Sequence, residues 1–221
     1  METALPEELD LLRRSVRAFV EEQLVPRGEE IETSDRIPRD VIDAMAGMGL
    51  FGIGFREAVG GQGFGKLGYC VAVEQLARAN ASLWNVIGGS AGLCGTAIDI
   101  GGPDELRSRY LPDLLSGTRI GAYALSEPGA GSDAGGLATT ARRDGEAYVI
   151  DGAKTFITNA PIADLFTVFA TLDRSAGSKG ITAFVVERDT PGLRIGPNDE
   201  KMGLHGSTTA QLYFSEMRVP A

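Results

Sequence analysis

Apolar side chains in the first half of the chain recur at helical spacing. From Pro6 to about Pro26 they follow one another at steps of three, four or one, which places them on one stripe of a helix. The same spacing predicts four further helices, over Pro38–Met48, Lys66–Ala79, Leu83–Ile100 and Pro103–Ser116. The acidic stretch after the first helix is expected to be a connector. The N-terminal region is therefore predicted to be all-α.

The pattern changes at about residue 119. From there onward, short runs rich in Val, Ile, Thr, Phe and Tyr are separated by Gly, Asp, Pro and Ser. The predicted strands are Ile120–Leu125, Ala138–Arg143, Tyr148–Asp151, Lys154–Asn159, Leu165–Thr171, Ile181–Glu187, Leu193–Ile195 and Thr209–Phe214. Evenly spaced strands without intervening helices favour an antiparallel β-sandwich or barrel. The sequence thus predicts an α+β, two-domain protein, with an all-α domain over residues 1–118 and a β domain over residues 119–221.

Two turns stand out within the predicted β domain. Asp151-Gly152 lies between two predicted strands, and this dipeptide is a strong signal for a two-residue hairpin turn. Upstream, the run from Ser126 to Ser132 contains one proline and two glycines, and its free backbone N–H groups and hydroxyls can converge on an anion. An ordinary hairpin loop remains the alternative for this second turn when the residues are considered alone.

Composition and charge narrow the range of partners. The formal net charge of −9 argues against nucleic acid or an anionic membrane as a general partner. Trp84, Cys70 and Cys94 lie in apolar helical segments, so we expect core positions and reduced thiols, as in a cytoplasmic protein. One histidine and two separated cysteines predict no metal site. We also expect no signal peptide and no membrane-spanning segment.

Several motifs together resemble one enzyme family. The run Tyr123–Asp133, followed by Tyr148–Asn159, resembles the flavin-binding middle domain of the acyl-CoA dehydrogenases. Further family-like motifs occur in the same order along the chain, at Glu74–Arg78, Arg109–Pro112, Lys201–Gly203 and Phe214–Pro220. The resemblance implies FAD as cofactor and an acyl-CoA thioester as substrate. The implied reaction is α,β-dehydrogenation, in which a carboxylate removes the α-proton and the β-hydrogen leaves as hydride to flavin N5.

The resemblance also implies which residues contact the flavin. They are Tyr123, Leu125, Ser126, Gly131, Ser132, Phe156, Ile157 and Thr158. Phe156 would lie against the flavin ring, and Thr158 would donate a hydrogen bond toward N5 or O4. Without the resemblance, simple strand alternation with Phe156 or Thr158 facing a core explains the same run.

The implied substrate contacts are fewer. Ser132, Ser178 and Lys179 are the expected CoA contacts, and a solvated loop lysine is the alternative for Lys179. His205 stands where many relatives carry arginine, and we assign it no role.

The catalytic base of the family has no counterpart in this sequence. The resemblance places that glutamate in a four-helix bundle beyond Val219-Pro220, and it gives Glu127 a structural place. We therefore expect no catalytic residue here, and a homo-oligomer or a partner chain that supplies the missing helices. Three alternatives stay open: a non-catalytic interaction module, one half of a split flavoenzyme acting on another substrate, or a different flavin reaction such as oxygen activation.

Overall fold

The computed structural model describes residues 4–221. Within this range the first half is helical, with α1 Glu7–Phe19, α2 Gly28–Thr33, α3 Arg39–Gly47, α4 Gly65–Ala79, α5 Ser82–Ile87, α6 Thr96–Gly101 and α7 Asp104–Ser116. A π-helical segment, Gly88–Gly95, joins α5 and α6 into one continuous helical stretch. No helix of the described chain is both long enough and apolar enough to cross a lipid bilayer.

The expected acidic connector is wrong in part. A second π-helical segment, Val20–Leu24, continues α1, and a short 3-10 turn leads into α2. The helix α2 forms there because Ile31 is completely buried in the helical core, although its neighbours are mostly acidic. A single buried anchor therefore outweighs the polar character of the surrounding stretch.

Seven strands form one sheet in the second half of the chain. They are β1 Gly121–Ala124, β2 Thr140–Asp144, β3 Ala147–Thr158, β4 Leu165–Thr171, β5 Ile181–Glu187, β6 Leu193–Asn198 and β7 Thr209–Pro220. Four of the pairings are antiparallel: β2 with β3, β3 with β7, β6 with β7, and β4 with β5. The strand β4 also runs parallel to β1 and, at one residue pair, to β2. The α+β prediction is confirmed, and the sheet is mixed rather than purely antiparallel.

The hairpin predicted at Asp151-Gly152 is wrong. Residues on both sides of this dipeptide belong to the single strand β3, and the β2–β3 hairpin turns instead at Gly145-Glu146. Gly152 has φ +147°, and a Cβ there would lie 2.6 Å from Thr139 Oγ1. The glycine is required because the backbone of Thr139, just before β2, approaches closely, not because the chain reverses.

Polar contacts join the helical stretch to the sheet. Asn159 donates through Nδ2 to the backbone oxygens of Val86 and Gly121, at 2.9 and 3.1 Å. Ser90 accepts the backbone N–H of Gly121 through Oγ at 2.9 Å. The buried side chain of Leu165, on β4, also contributes to the helical core. The start of β1, the end of β3 and the Ser82–Gly101 stretch are therefore held together.

Of the three residues expected in the core, only Cys94 is buried there. Cys94 is completely buried beside Thr167, with Sγ 3.2 Å from Thr167 Oγ1, as predicted. Cys70 is exposed and Trp84 is 36% exposed, so the core prediction is wrong for both. Their helices are amphipathic at these positions, and the apolar composition of the segments concealed this.

Candidate functional site

A buried ion pair holds the turn after β1 against β3. Lys154 Nζ lies 2.7 Å from Glu127 Oε1 and donates to the backbone oxygen of Leu125 at 3.0 Å. The Glu127 carboxylate also accepts the backbone N–H groups of Ala138 and Thr139, at 2.6 and 3.0 Å. Leu125 begins the turn and Thr139 ends it, so this ion pair fixes both ends.

The charges of this pair are stabilised by their hydrogen bonds. Burial alone would raise the pKa of Glu127, but hydrogen bonds from Lys154 and Thr139 outweigh burial and hold that pKa below its ordinary value of 4.5. Burial lowers the pKa of Lys154, and its contact with Glu127 opposes this. Both carboxylate oxygens of Glu127 are committed to bonds within the protein, which agrees with the structural place expected for it.

Phe156 is displayed at the surface by an irregularity of β3. Lys154 pairs with Leu212 and Ile157 with Ala210, so β3 carries one extra residue between these two pairs. Phe156 lies in this bulge with φ +56°, and its side chain is 73% exposed. The bulge turns the ring away from the sheet core, which rules out the alternative of a core phenylalanine.

The two residues after Phe156 point to different places. The Ile157 side chain is 1% exposed and lies in the core of the sheet, so only its backbone is accessible to a ligand. Thr158 is half-buried and faces the helical stretch, where a Cβ at Gly89 would lie 3.4 Å from Thr158 Cγ2. The Thr158 hydroxyl makes no hydrogen bond within residues 4–221.

The predicted residues of β1 and its turn lie next to β3. The backbone oxygen of Ser126 accepts the backbone N–H of Thr155 at 2.9 Å, which places Ser126 beside the residue that precedes Phe156. Tyr123 is half-buried on β1, with its ring centroid 4.9 Å from that of Phe169 on β4. Leu125, also half-buried, is held by its carbonyl contact with Lys154.

The predicted substrate contacts lie on two neighbouring loops. Gly131 and Ser132 are exposed at the tip of the turn after β1, and Ser178 and Lys179 are exposed in the loop before β5. The loops approach each other, because a Cβ at Gly135 would lie 3.8 Å from the Ser178 backbone nitrogen. The structure thus brings Ser132 and Ser178 into one region of the surface.

A cavity of about 360 Å³ opens beside Thr158. All of its other lining residues come from the helical half of the chain: Phe51, Gly54, Phe55, Lys66, Tyr69, Trp84, Asn85, Gly88, Gly89, Gly92 and Leu93. Thr158 is the one predicted site residue in this lining. A second groove, of about 530 Å³, lies between α6–α7 and β4–β5, and Ser178 and Phe169 are among its lining residues.

The helical wall of this cavity was not predicted from the sequence. Trp84 lines it rather than packing in the core, and Tyr69 lies on the facing helix α4. The available signal was the spacing of Gly88 and Gly92 after Trp84, which leaves one side of the helix without side chains. His205, which had no assigned role, has Nδ1 2.8 Å from Asp35 Oδ1. In the described part of the chain, no three His, Cys, Asp or Glu side chains are grouped to hold a metal ion.

Comparisons with known proteins agree with this arrangement. Residues 6–118 match the family model described as "Acyl-CoA dehydrogenase, N-terminal domain", and residues 122–217 match "Acyl-CoA dehydrogenase, middle domain". The short-chain specific acyl-CoA dehydrogenase of Clostridium acetobutylicum is 39% identical over 100% of this chain and 58% of its own length.

Solved structures give the same result. Butyryl-CoA dehydrogenase from Megasphaera elsdenii superposes with a TM-score of 0.93 at 36% identity, over 100% of this chain and 59% of that protein. A glutaryl-CoA dehydrogenase from Mycobacterium smegmatis, solved in complex with FADH2, gives a TM-score of 0.91 at 30% identity, over 98% and 55%. The chain therefore spans little more than half the length of each of these proteins. With two matching domain models in the expected order, this chain belongs to the acyl-CoA dehydrogenase family.

Proposed function

We propose that this chain is the N-terminal and middle part of an FAD-dependent acyl-CoA dehydrogenase, which removes hydrogens from the α and β carbons of an acyl-CoA thioester. The observation that carries the proposal is the bulged end of β3, where Phe156 is displayed outward and Thr158 faces an apolar cavity. We also propose that the chain divides into two domains near residue 118, between the end of α7 at Ser116 and the start of β1 at Gly121.

The residues around β3 fit a flavin. A flavin needs a flat apolar contact and hydrogen-bond donors toward its polar edge. Phe156 offers an exposed aromatic ring, and the hydroxyls of Ser126, Ser132 and Thr158 make no hydrogen bonds within residues 4–221. FAD, when bound, supplies the hydride acceptor.

In this assignment the protein residues bind FAD and orient its ring system. Phe156 and Tyr123 contact the ring system, Thr158 and Ser126 donate hydrogen bonds to its polar edge, and Leu125 and Ile157 contribute backbone groups. The turn tip with Gly131 and Ser132 binds the pyrophosphate. The buried Glu127–Lys154 pair supports this region, because it fixes the turn to the strand that carries Phe156.

The substrate is proposed to lie along two features of the same surface. The acyl group occupies the cavity beside Thr158, since its reacting carbons must approach the flavin atom that Thr158 contacts. The CoA moiety follows the loops that carry Ser132, Ser178 and Lys179, where the lysine ammonium attracts a CoA phosphate.

No residue of this chain is assigned as the catalytic base. Glu127 is unsuitable because both of its carboxylate oxygens are engaged. We place the base outside this chain, either in the portion of the relatives that the chain does not match or in an associated subunit. The active protein is accordingly proposed to be a homo-oligomer or a complex with a second chain.

A flavin titration tests this function. FAD binding to the chain is measured by quenching of flavin fluorescence, for the wild type and for Phe156→Ala and Thr158→Ala. We expect each variant to bind FAD at least fivefold more weakly, because each loses one contact to the ring or its edge. Leu11→Ala is the control, since Leu11 is also exposed but lies on α1, in the helical half of the chain. Unchanged FAD affinity in both site variants would reject the site, and no FAD binding at all would favour a non-catalytic module.

A further inference from the structure

Tyr69 crosses the cavity beside Thr158 from one wall to another. It belongs to α4, and a Cβ at Gly54, in the loop between α3 and α4, would lie 3.3 Å from the Tyr69 Cβ. At the other end of the side chain, Cβ atoms at Gly88 and Gly92 would each lie 3.5 Å from the Tyr69 hydroxyl. The ring and hydroxyl of Tyr69 therefore fill the space between this loop and the glycines of the helical stretch, and all of these residues line the cavity.

Thr158 contacts the same helical stretch one residue further along. A Cβ at Gly89 would lie 3.4 Å from Thr158 Cγ2, while the preceding residue, Gly88, adjoins the Tyr69 hydroxyl. In the proposed function, Thr158 marks the end of the cavity at which the flavin and the thioester meet. Because Thr158 and Tyr69 adjoin consecutive residues of one helix, only a short space separates the flavin end of the cavity from the Tyr69 ring.

The role of Tyr69 in this arrangement is steric. Its side chain is half-buried, and its hydroxyl makes no hydrogen bond within residues 4–221. Truncation of Tyr69 would therefore leave no buried polar group without a partner, which is the usual reason why the loss of a tyrosine is costly. What truncation would change is volume, because the space of the ring would be joined to the cavity.

A straight acyl chain that enters beside Thr158 meets the Tyr69 ring after a short distance. To extend further, the chain would have to push the ring toward the loop at Gly54, where the contact is already as close as 3.3 Å. Crowding of this kind in a packed region is unfavourable. The alternative is to turn the last methylenes out toward water, which forfeits the free energy of their burial.

We propose that Tyr69 determines the acyl-chain length that this protein accepts, because its ring ends the cavity a few carbons beyond the thioester. Short straight-chain acyl groups fit between Thr158 and the ring, and longer ones do not. This inference rests on the proposed function, because it assumes that acyl thioesters enter the cavity beside Thr158.

Trp84 allows cavity occupancy to be measured directly. It is the sole tryptophan of the chain, and it lines the cavity. The FAD-loaded chain is titrated separately with butyryl-CoA, hexanoyl-CoA and octanoyl-CoA, while tryptophan emission is recorded. We expect octanoyl-CoA to bind at least tenfold more weakly than butyryl-CoA, because the last carbons of its chain reach the Tyr69 ring.

Variants of Tyr69 test whether its ring sets the limit. Tyr69→Ala is expected to tighten binding of octanoyl-CoA at least tenfold and to change that of butyryl-CoA less than threefold. Tyr69→Leu, which keeps an apolar contact, is expected to shift the preference toward hexanoyl-CoA. Tyr69→Phe should keep the wild-type preference, since the ring is retained.

Tyr148→Ala is the matched control. Tyr148 is likewise a half-buried tyrosine, but it lies at the other end of β3, with its ring centroid 5.2 Å from that of Phe184, and it does not line the cavity. The control should keep the wild-type order of affinities.

The outcomes separate this inference from the proposed function. Equal affinities of the wild type for butyryl-CoA and octanoyl-CoA, or an unchanged preference in both Tyr69→Ala and Tyr69→Leu, overturn the length assignment while leaving the proposed function intact. The same shift in Tyr148→Ala would also overturn the assignment, since it would show a general loosening of the fold. If FAD binds but no thioester perturbs Trp84 emission, both the assignment and the proposed acyl site are overturned. Circular dichroism of each variant verifies that it is folded before its affinities are compared.

Discussion

The β3–β7 ladder contains two bulges. Each places a residue other than glycine at positive φ, but the side chains of these two residues have different surroundings. One extra residue on β7, opposite Asp151, puts Glu216 at φ +48°, and one extra residue on β3 puts Phe156 at φ +56°. Both conformations lie in the left-handed region, which costs about 1–2 kcal/mol for residues other than glycine. The two bulges therefore carry a similar backbone penalty.

Their surroundings differ. The backbone N–H of Glu216 donates to Asp151 Oδ1 at 2.8 Å, and the Glu216 carboxylate pairs with Arg142 at 3.0 Å. Phe156 instead leaves an aromatic side chain 73% exposed. The strain at Glu216 is compensated within the protein, whereas at Phe156 an apolar ring is exposed without compensation, as expected where a ligand completes the site.

The largest expected difference between the bulges is in how much the ion pair beside each one contributes to the free energy of unfolding. Lys154→Met should lower the free energy of unfolding by about 3–5 kcal/mol, because it leaves the buried Glu127 carboxylate without its partner. Arg142→Met, which breaks the exposed pair with Glu216, should cost less than about 1 kcal/mol. Urea unfolding of the two variants measures both values, and equal losses would contradict the distinction between the bulges.

At Phe156 we expect a smaller effect, in which one substitution increases stability and weakens FAD binding. Phe156→Gly should raise the free energy of unfolding by about 1 kcal/mol, since glycine tolerates positive φ and little packing is lost, yet it should weaken FAD binding. Phe156→Ala should weaken FAD binding without the gain in stability. Glu216→Gly is the matched control and should leave FAD affinity unchanged. If Phe156→Gly retains full FAD affinity, the exposed ring has no part in the site.

The smallest expected effect is on the pH dependence of stability below pH 5. Because the pKa of Glu127 lies below 4.5 in the folded protein, its ionised form stabilises the fold above about pH 4.5. That contribution is lost as the pH falls through the lower, folded pKa. Between pH 5 and pH 3 the stability of the wild type should therefore fall more steeply than that of Glu127→Gln. Parallel slopes in urea unfolding at several pH values would contradict this assignment.

Local sequence signals identified most elements but not their partners. Leu165–Thr171 and Ile181–Glu187 were predicted with the bounds that the structure has, because their short apolar runs are bounded by clear breaks. Asp151-Gly152 was misread because a hairpin signal is local, whereas β3 pairs with β7, which is more than fifty residues further along the chain. In the structure, Asp151 caps the Glu216 bulge, a task that no short window of sequence reveals.

The candidate site shows the same limit. The flavin and CoA residues came from motifs that are contiguous in sequence, and they remain predictions at this stage. The cavity wall was not found, because Tyr69, Trp84 and Gly92 come together only when α4 packs beside the Ser82–Gly101 stretch. Trp84 was assigned to the core on average behaviour, and only the packed structure distinguishes the core from a cavity lining.

The Asn159 side chain bridges the helical stretch and β1 at the edge of the cavity. Both hydrogens of its amide are committed, one to a carbonyl of the helical stretch at Val86 and one to a carbonyl of β1 at Gly121. The separation of helix and strand next to Thr158 is therefore constrained by the Asn159 amide together with the Ser90–Gly121 bond, in addition to the packing of the helical core. Replacing Asn159 would therefore remove two buried bonds at the edge of the cavity and, with them, part of the restraint on the width of its opening.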